Sequence, residues 1–433
     1  MADDASTVGG SDLEIERNRT FGAGIVDNPY PVMHELRGRC PVHAVGIADN
    51  YPGMKGLRPL VPTGVQTYST YSYEAALEVL RRPGEFASEP FYAQLRASIG
   101  PSVLGMDEPE HRRMRMLVQP AFAKREMERW KERIIRPIVD EHFDRIAPLG
   151  RADIYHEIGA TVPVHTIAAA IGLPVKDRER FFEWAVTMTL ATATPEDRYA
   201  AAQALGEYVR PLIAARRAAP GDDLLSTLTQ ATVPVEAGND IDTRPLSDEE
   251  IDSFVRILVI AGAGTTFRGY GSLMFHLLTH PDQLEAVRAD RSLVPHAIDE
   301  ALRIEQPLAF IGRVTTDDCP VEGTTVPAGS YVEVSVSAAN HDPDQFPDPE
   351  RFDIMRTKAD RHVAFGFGIH RCVGAHLAYA ELSVMLERTL DRLPDVHLDP
   401  DAGDVHMTGL GLRMVTKLPV RYTPTPAYPT KGS

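Results

Sequence analysis

The chain has 433 residues, 43 % hydrophobic and 24 % charged, the composition of an ordinary globular protein. Its 45 Lys and Arg against 61 Asp and Glu leave a formal net charge of −16, which excludes nucleic-acid binding or attachment to anionic lipid driven by overall charge. Three cysteines, Cys40, Cys319 and Cys372, are too few for a disulfide framework and fit a reducing compartment.

In chain order, residues 1–20 are polar, with acidic residues where a signal peptide would be basic, so a frayed tail and a cytoplasmic protein are expected. A strand is expected at Gly64–Thr70, and helices at His111–Phe122, Glu126–Ile146 and Ala201–Ala219. Ser247-Asp248-Glu249-Glu250 is a capping box opening a helical pattern that runs to His280, where Pro281 stops it. Its apolar centre, Ile257–Phe267, is far short of the ~20 residues that cross a bilayer. Gly262 and Gly264 weaken that centre by about 1 kcal/mol each, so something is expected to approach or unwind the backbone there. Leu293–Arg303 and Ala375–Leu393 read as further helices, and Tyr331–Ser337 and Arg413–Tyr422 as strands. Asn340–Asp353 is an irregular meander, and residues 423–433 look too proline-rich to pack. Helices dominate over a minor β component, and no linker divides the chain.

The stretch Phe365-Gly366-Phe367-Gly368-Ile369-His370-Arg371-Cys372-Val373-Gly374-Ala375 carries the chemistry. Its glycines let the backbone bend tightly near the thiol, and the helix that follows points its N-terminal N–H groups at the sulfur, favouring a thiolate. Such a thiolate is an axial metal ligand or a nucleophile. Zinc would need further ligands, and no second cysteine lies nearby. The third glycine of a dinucleotide fingerprint is replaced by Arg371.

This segment resembles the haem-binding signature of the cytochrome P-450 family, Phe-x-x-Gly-x-x-x-Cys-x-Gly, at Phe365, Gly368, Cys372 and Gly374, with the bacterial-type His370. Glu300-Ala301-Leu302-Arg303 resembles the family's Glu-x-x-Arg, and Pro349-Glu350-Arg351-Phe352 the element that supplies its third partner, Arg351. His111 and Arg115 match the pair that binds haem propionates, and Arg313 a further propionate-binding arginine. Arg413–Val420 resembles the family's C-terminal segment, with Met414 and Val415 replacing Gly and Leu.

The resemblance covers residues 21–422 and implies a mainly α cytochrome P-450 fold, one large domain with a minor β region. It implies Cys372 as proximal ligand of haem b, with Gly366 in the cofactor loop. The activity implied is insertion of one oxygen atom of O2 into a hydrophobic small molecule. Electrons would come from NAD(P)H through a separate ferredoxin and ferredoxin reductase, and a monomer with no membrane attachment is expected. On the distal helix the family pattern is Ala/Gly-Gly-x-Asp/Glu-Thr-Thr/Ser; here it reads Ala261-Gly262-Ala263-Gly264-Thr265-Thr266, so Thr265 and Thr266 carry over while Gly264 replaces the acid. By analogy the substrate faces Glu89–Leu104, residues 175–215, Ile257–Ala261, Leu308–Ile311 and Thr408–Leu412, with Phe91, Leu258, Ala261, Leu308, Phe310, Ile311 and Leu410 as lining. From His111 to Arg133 eight basic residues outnumber three glutamates, and Arg112 and Arg113 are expected to attract an acidic ferredoxin. The missing acid leaves a peroxide-driven or non-redox haem-thiolate enzyme as the alternative, with a haem sensor as the non-catalytic one.

Overall fold

The computed structural model describes residues 26–52, 64–189, 194–234 and 241–427. The helix Asp248–Thr279 crosses the molecule and organises it. Ser247 Oγ accepts from Glu250 N and the Glu250 carboxylate accepts from Ser247 N, satisfying two end donors at once. Around it pack Val162–Ala170, Pro195–Ala218, Val294–Ile304 and Ala375–Arg392. Enclosed on most sides, it buries residues all round rather than along one stripe. Among the described residues no helix is long and apolar enough to span a membrane.

The backbone does not unwind at the two central glycines, which corrects one of the two expectations for that stretch. The helix runs unbroken, and a Cβ on Gly262 would stand 3.2 Å from Ile167 Cδ1. Gly262 therefore serves close approach of a neighbouring helix.

Other elements differ at their edges. The expected strand Gly64–Thr70 is Thr67–Thr70, and the helix expected from Ala201 begins at Pro195, where Thr194 and Asp197 form a second capping box. Glu126–Ile146 is Lys124–Trp130, a wide turn over Lys131–Ile135, then Arg136–Ile146. Tyr331–Ser337 stops at Ser335, whose hydroxyl caps the short helix Val336–Asn340. The last strand splits in two. Met414–Val415 pairs with Met407–Thr408, while Pro419–Arg421, with its non-donating proline first, pairs with Arg151–Asp153 and His397–Leu398. Of the expected tails, residues 1–25 and 428–433 lie outside the described residues. Residues 423–427 do not fray: Thr423 N donates to Pro394 O and Thr425 N to Ala147 O.

The largest sheet orders its strands Val42–His43, Thr67–Thr70, Tyr331–Ser335, Phe310–Thr315, Phe86–Ala87, with one parallel pair, Thr67–Thr70 on Tyr331–Ser335. It carries Phe310, Ile311 and Arg313 to the side of the central helix.

Behind the Cys372 loop lies a buried ion network. Glu300 and Arg303 are both fully buried and paired through two bonds of 2.8 and 2.9 Å. The expected third member is corrected here. The Arg351 side chain is exposed and turns to Asp353, and the cation on Glu300 is Arg356, at 3.0 and 3.1 Å. The chain turns sharply at Asp348, with φ of 53°. That turn directs the Arg351 carbonyl inward, where it accepts from Arg303 and Arg356, and sends its side chain to solvent.

Candidate active site

A cavity of about 510 Å³ separates the central helix from the Cys372 loop. Its floor is set by the backbone. Gly366 and Gly368 adopt φ of 69° and 72°, the left-handed region open to glycine, and a Cβ on Gly368 would sit 2.4 Å from Leu80 O. Cys372 N donates to Phe365 O at 2.8 Å, closing the loop, and the helix Ala375–Arg392 starts three residues on. Cys372 is exposed only in the sense that it lines this cavity. Burial among protein atoms raises its thiol pKa, while the Gly374 N–H, Arg115 and Arg371 pull it down. Among the described residues no three His, Cys, Asp or Glu side chains form a metal site.

At one edge stand His111, Arg115, Arg313 and His370. The rings of His111 and His370 lie 4.1 Å apart. Burial, with Arg115 and Arg313 near, pushes His111 down to about 4, and burial with His111 and Arg313 near pushes His370 to about 3. Both ring nitrogens of His111 lack a hydrogen-bond partner, so the single N–H of the neutral ring is left for an acceptor in the cavity. Tyr92, which no sequence motif marks, joins this edge beside Arg313 and lines the cavity. A thiol on the floor, orphaned donors and arginines at the edge and an apolar wall opposite fit an iron porphyrin with its two carboxylates.

Opposite the thiol, the central helix presents Leu258, Ala261, Gly262, Gly264, Thr265 and Thr266. Thr265 Oγ1 donates to Ala261 O at 2.6 Å, leaving its lone pairs toward the cavity. Arg268 folds back one turn and donates to Gly264 O at 2.7 Å. Phe91, Leu308, Phe310, Ile311 and Leu410 line the remaining wall. Phe91 lies so close over Gly312 that a Cβ there would be 1.9 Å from its ring, which reserves position 312 for glycine.

The docking expectation needs a correction as well. Arg113 is buried, with its Nη1 2.7 Å from a carboxylate oxygen of the buried Glu250. It anchors the start of the central helix, and only Arg112 of the two is exposed. Under the Cys372 loop, Arg81, Arg361 and Arg371 line a surface cavity with Asp360, His362 and Tyr379.

The family pattern "Cytochrome P450" matches residues 181–419. The chain belongs to the cytochrome P450 family. Among its relatives, the cytochrome P450 monooxygenase PikC of Streptomyces venezuelae is 34 % identical over 93 % of both chains. The mycinamicin IV hydroxylase/epoxidase of Micromonospora griseorubida is 33 % identical over 88 % of this chain and 96 % of its own. The crystal structure of CYP109E1 from Bacillus megaterium in complex with corticosterone superposes with a TM-score of 0.79 at 28 % identity, covering 91 % of this chain and 98 % of that one. As a P450, the protein is a haem-thiolate monooxygenase that takes electrons from a partner and acts on hydrophobic organic substrates.

Proposed function

We propose that the protein hydroxylates or epoxidises a bulky apolar molecule, of the size class of a steroid or a macrolactone, with electrons from NAD(P)H delivered by an acidic ferredoxin and its reductase. The observation that carries this reading is the single thiol of Cys372 facing Ala261–Thr266 across an apolar cavity. The relative named for mycinamicin IV and the neighbour bound to corticosterone support the substrate class.

Cys372 holds the haem iron, and His111, Arg115, Arg313, His370 and Tyr92 hold its propionates. Bound there, the haem supplies activation of dioxygen. Thr265 accepts hydrogen bonds on the distal side through the lone pairs that its bond to Ala261 leaves free. Leu258, Ala261, Leu308, Phe310, Ile311 and Leu410 exclude water and orient the substrate by shape. The ferredoxin docks on Arg81, Arg361 and Arg371; among the described residues none of the three is paired with a carboxylate. The protein works as a cytoplasmic monomer, its catalytic domain spanning residues 21–422.

The test is the reduced carbon-monoxide spectrum followed by turnover with NADH, a surrogate ferredoxin and its reductase. A red-shifted thiolate Soret band and an oxygenated product are expected from a library of steroids and macrolactones. Product formed with hydrogen peroxide alone, and none with the reductase system, would favour the peroxide-driven alternative that Gly264 suggests.

A further inference from the structure

The helix Glu89–Ile99 brings Phe91, Tyr92 and Leu95 to the cavity wall, yet no side chain of its own closes its first turn. Eleven residues are marginal for a helix standing alone, and the first N–H groups of any helix need acceptors from outside the helical ladder. Ser88 stands at the cap position, but its hydroxyl makes no bond to the first turn and meets His370 Nε2 at 3.2 Å instead. The acceptor comes from farther along the chain. Ser88 N donates to Asp107 Oδ1 at 2.8 Å and Glu89 N to Asp107 Oδ2 at 3.0 Å, so one carboxylate takes both donors.

Asp107 also works through its main chain. Its carbonyl accepts from His111 N at 2.8 Å, in the first turn of the helix Glu110–Val118 that carries His111 and Arg115. His370, whose ring lies against His111, has its Nε2 4.0 Å from Asp107 Oδ1. One residue thus joins the helix of the propionate edge to the helix that covers the cavity.

We propose that Asp107 is a positioning residue for substrate: it ties the start of Glu89–Ile99 to the propionate edge and so sets how closely Phe91 and Tyr92 stand over the cavity. A carboxylate on two N–H groups at the positive end of a helix makes charge-assisted bonds. Phe91 and Tyr92 belong to the turn that these bonds hold. The far end of the helix is seated separately, where a Cβ on Gly100 would stand 2.2 Å from Ser253 Oγ of the central helix. Loss of the carboxylate therefore releases the Phe91 end while the Ile99 end stays in place. Asp107 itself does not line the cavity, so it acts on substrate only through the helix.

The proposal rests on the haem-thiolate reading, and its test separates the two. The probes are clotrimazole, an imidazole carrying a bulky triaryl group, and imidazole itself, each titrated into the holoenzyme through the Soret shift of iron–nitrogen binding. Only clotrimazole is large enough to press on the wall. Asp107→Ala removes both side-chain acceptors and leaves the main-chain carbonyl on His111 N. It should weaken clotrimazole roughly tenfold, the size of a lost helix cap, and leave imidazole at the parent's affinity. Asp107→Asn, which keeps one acceptor, should fall between. Hydrogen exchange of the holoenzyme should quicken over residues 88–95 and stay unchanged over 110–118. A cap that merely stabilises the fold would weaken both azoles alike or loosen both helices, and either result overturns the proposal. So does an Asp107→Ala holoenzyme with the parent's ratio of the two affinities. If Asp107→Ala fails to take up haem, Asp107→Asn decides by the same ratio. Loss of the thiolate carbon-monoxide band in the parent would instead sink the haem-thiolate reading.

Discussion

The two walls of the cavity are built on opposite principles. The Cys372 wall is fixed by backbone: glycines in the left-handed region, the Cys372 N–H on Phe365 O and, behind them, the Glu300–Arg303–Arg356 network. The distal wall is a regular helix in which Thr265 donates to Ala261 O and Arg268 Nη1 to Gly264 O, while Arg268 Nε and Nη2 have no partner. A metal ligand tolerates little displacement, so its loop is over-determined. A substrate wall needs shape and dryness, so it is apolar and small-residued.

The largest effect should come from the sulfur itself. Cys372→His should abolish the red-shifted Soret band of the reduced carbon-monoxide complex even where haem is retained. Persistence of that band would mean that the loop geometry does not serve ligation and would break the comparison at its root.

Next in size is the network that holds the floor. Removing one partner of a buried pair costs about 3–5 kcal/mol, so Arg356→Ala should lower the denaturation midpoint strongly and reduce haem occupancy. Arg351→Ala, with an exposed side chain paired only to Asp353, should stay within about 0.5 kcal/mol of the parent. Urea titrations of both variants measure the contrast, and equal losses would restore Arg351 to the network.

A smaller effect belongs to pH. His276, near the end of the central helix, stacks on Phe352 with ring centroids 4.8 Å apart and has no partner for either ring nitrogen. Burial, with His280, Arg303 and Arg413 acting against Glu305, pushes it down to about 4. Unfolded, it titrates near 6.5. Between those values the unfolded chain binds a proton that the folded one refuses, so stability falls as pH drops, by about 1.4 kcal/mol per unit. His276→Phe keeps the stack and should lower that slope by about 1.4 kcal/mol per unit between pH 6.5 and 4, leaving the shares of His111 and His370 in place. An unchanged slope would place the acid sensitivity elsewhere.

Local features of both walls are legible in the amino-acid sequence. The 3.6-residue periodicity locates the long helices, and Ser247 with Glu250 marks the start of the central one to the residue. The Cys372 loop is readable because its glycines are dictated by local backbone geometry. What escapes the sequence is whatever a meander or a tertiary contact decides. In the irregular segment after Asn340, register alone does not say whether Arg351 or Arg356 turns inward. The basic run from His111 does not reveal that Arg113 meets Glu250, 137 residues away. Glu381 belongs to the helical stripe with Leu377, Leu382 and Met385, and the stripe does not show that it lies buried beside the Thr166 and Thr266 hydroxyls.

The smallest effect concerns the outer side of the floor. Exposed charges contribute to encounter more than to stability, since each exposed pair is worth at most about 1 kcal/mol. Arg81, Arg361 and Arg371 gather where the Cys372 loop reaches the surface, within a chain of net charge −16. A negative molecule with one basic pit steers an acidic partner to that pit, and the steering is screened over ~8–10 Å at physiological salt. Arg81 also stacks over Phe367, 5.0 Å from its centroid, so reversing it disturbs the loop as well as the charge. Arg361→Glu is the cleaner probe. It should slow reduction of the haem by the surrogate ferredoxin severalfold at low salt, weaken the salt dependence, and leave the carbon-monoxide spectrum and thermal midpoint unchanged. Arg112→Glu, outside the pit, should slow reduction less, whereas Arg113→Glu should destabilise the protein by setting two carboxylates together in the interior. If Arg112→Glu proves the slower enzyme at low salt, the partner approaches over the His111–Arg133 segment and the basic pit under Cys372 is only a solvated surface.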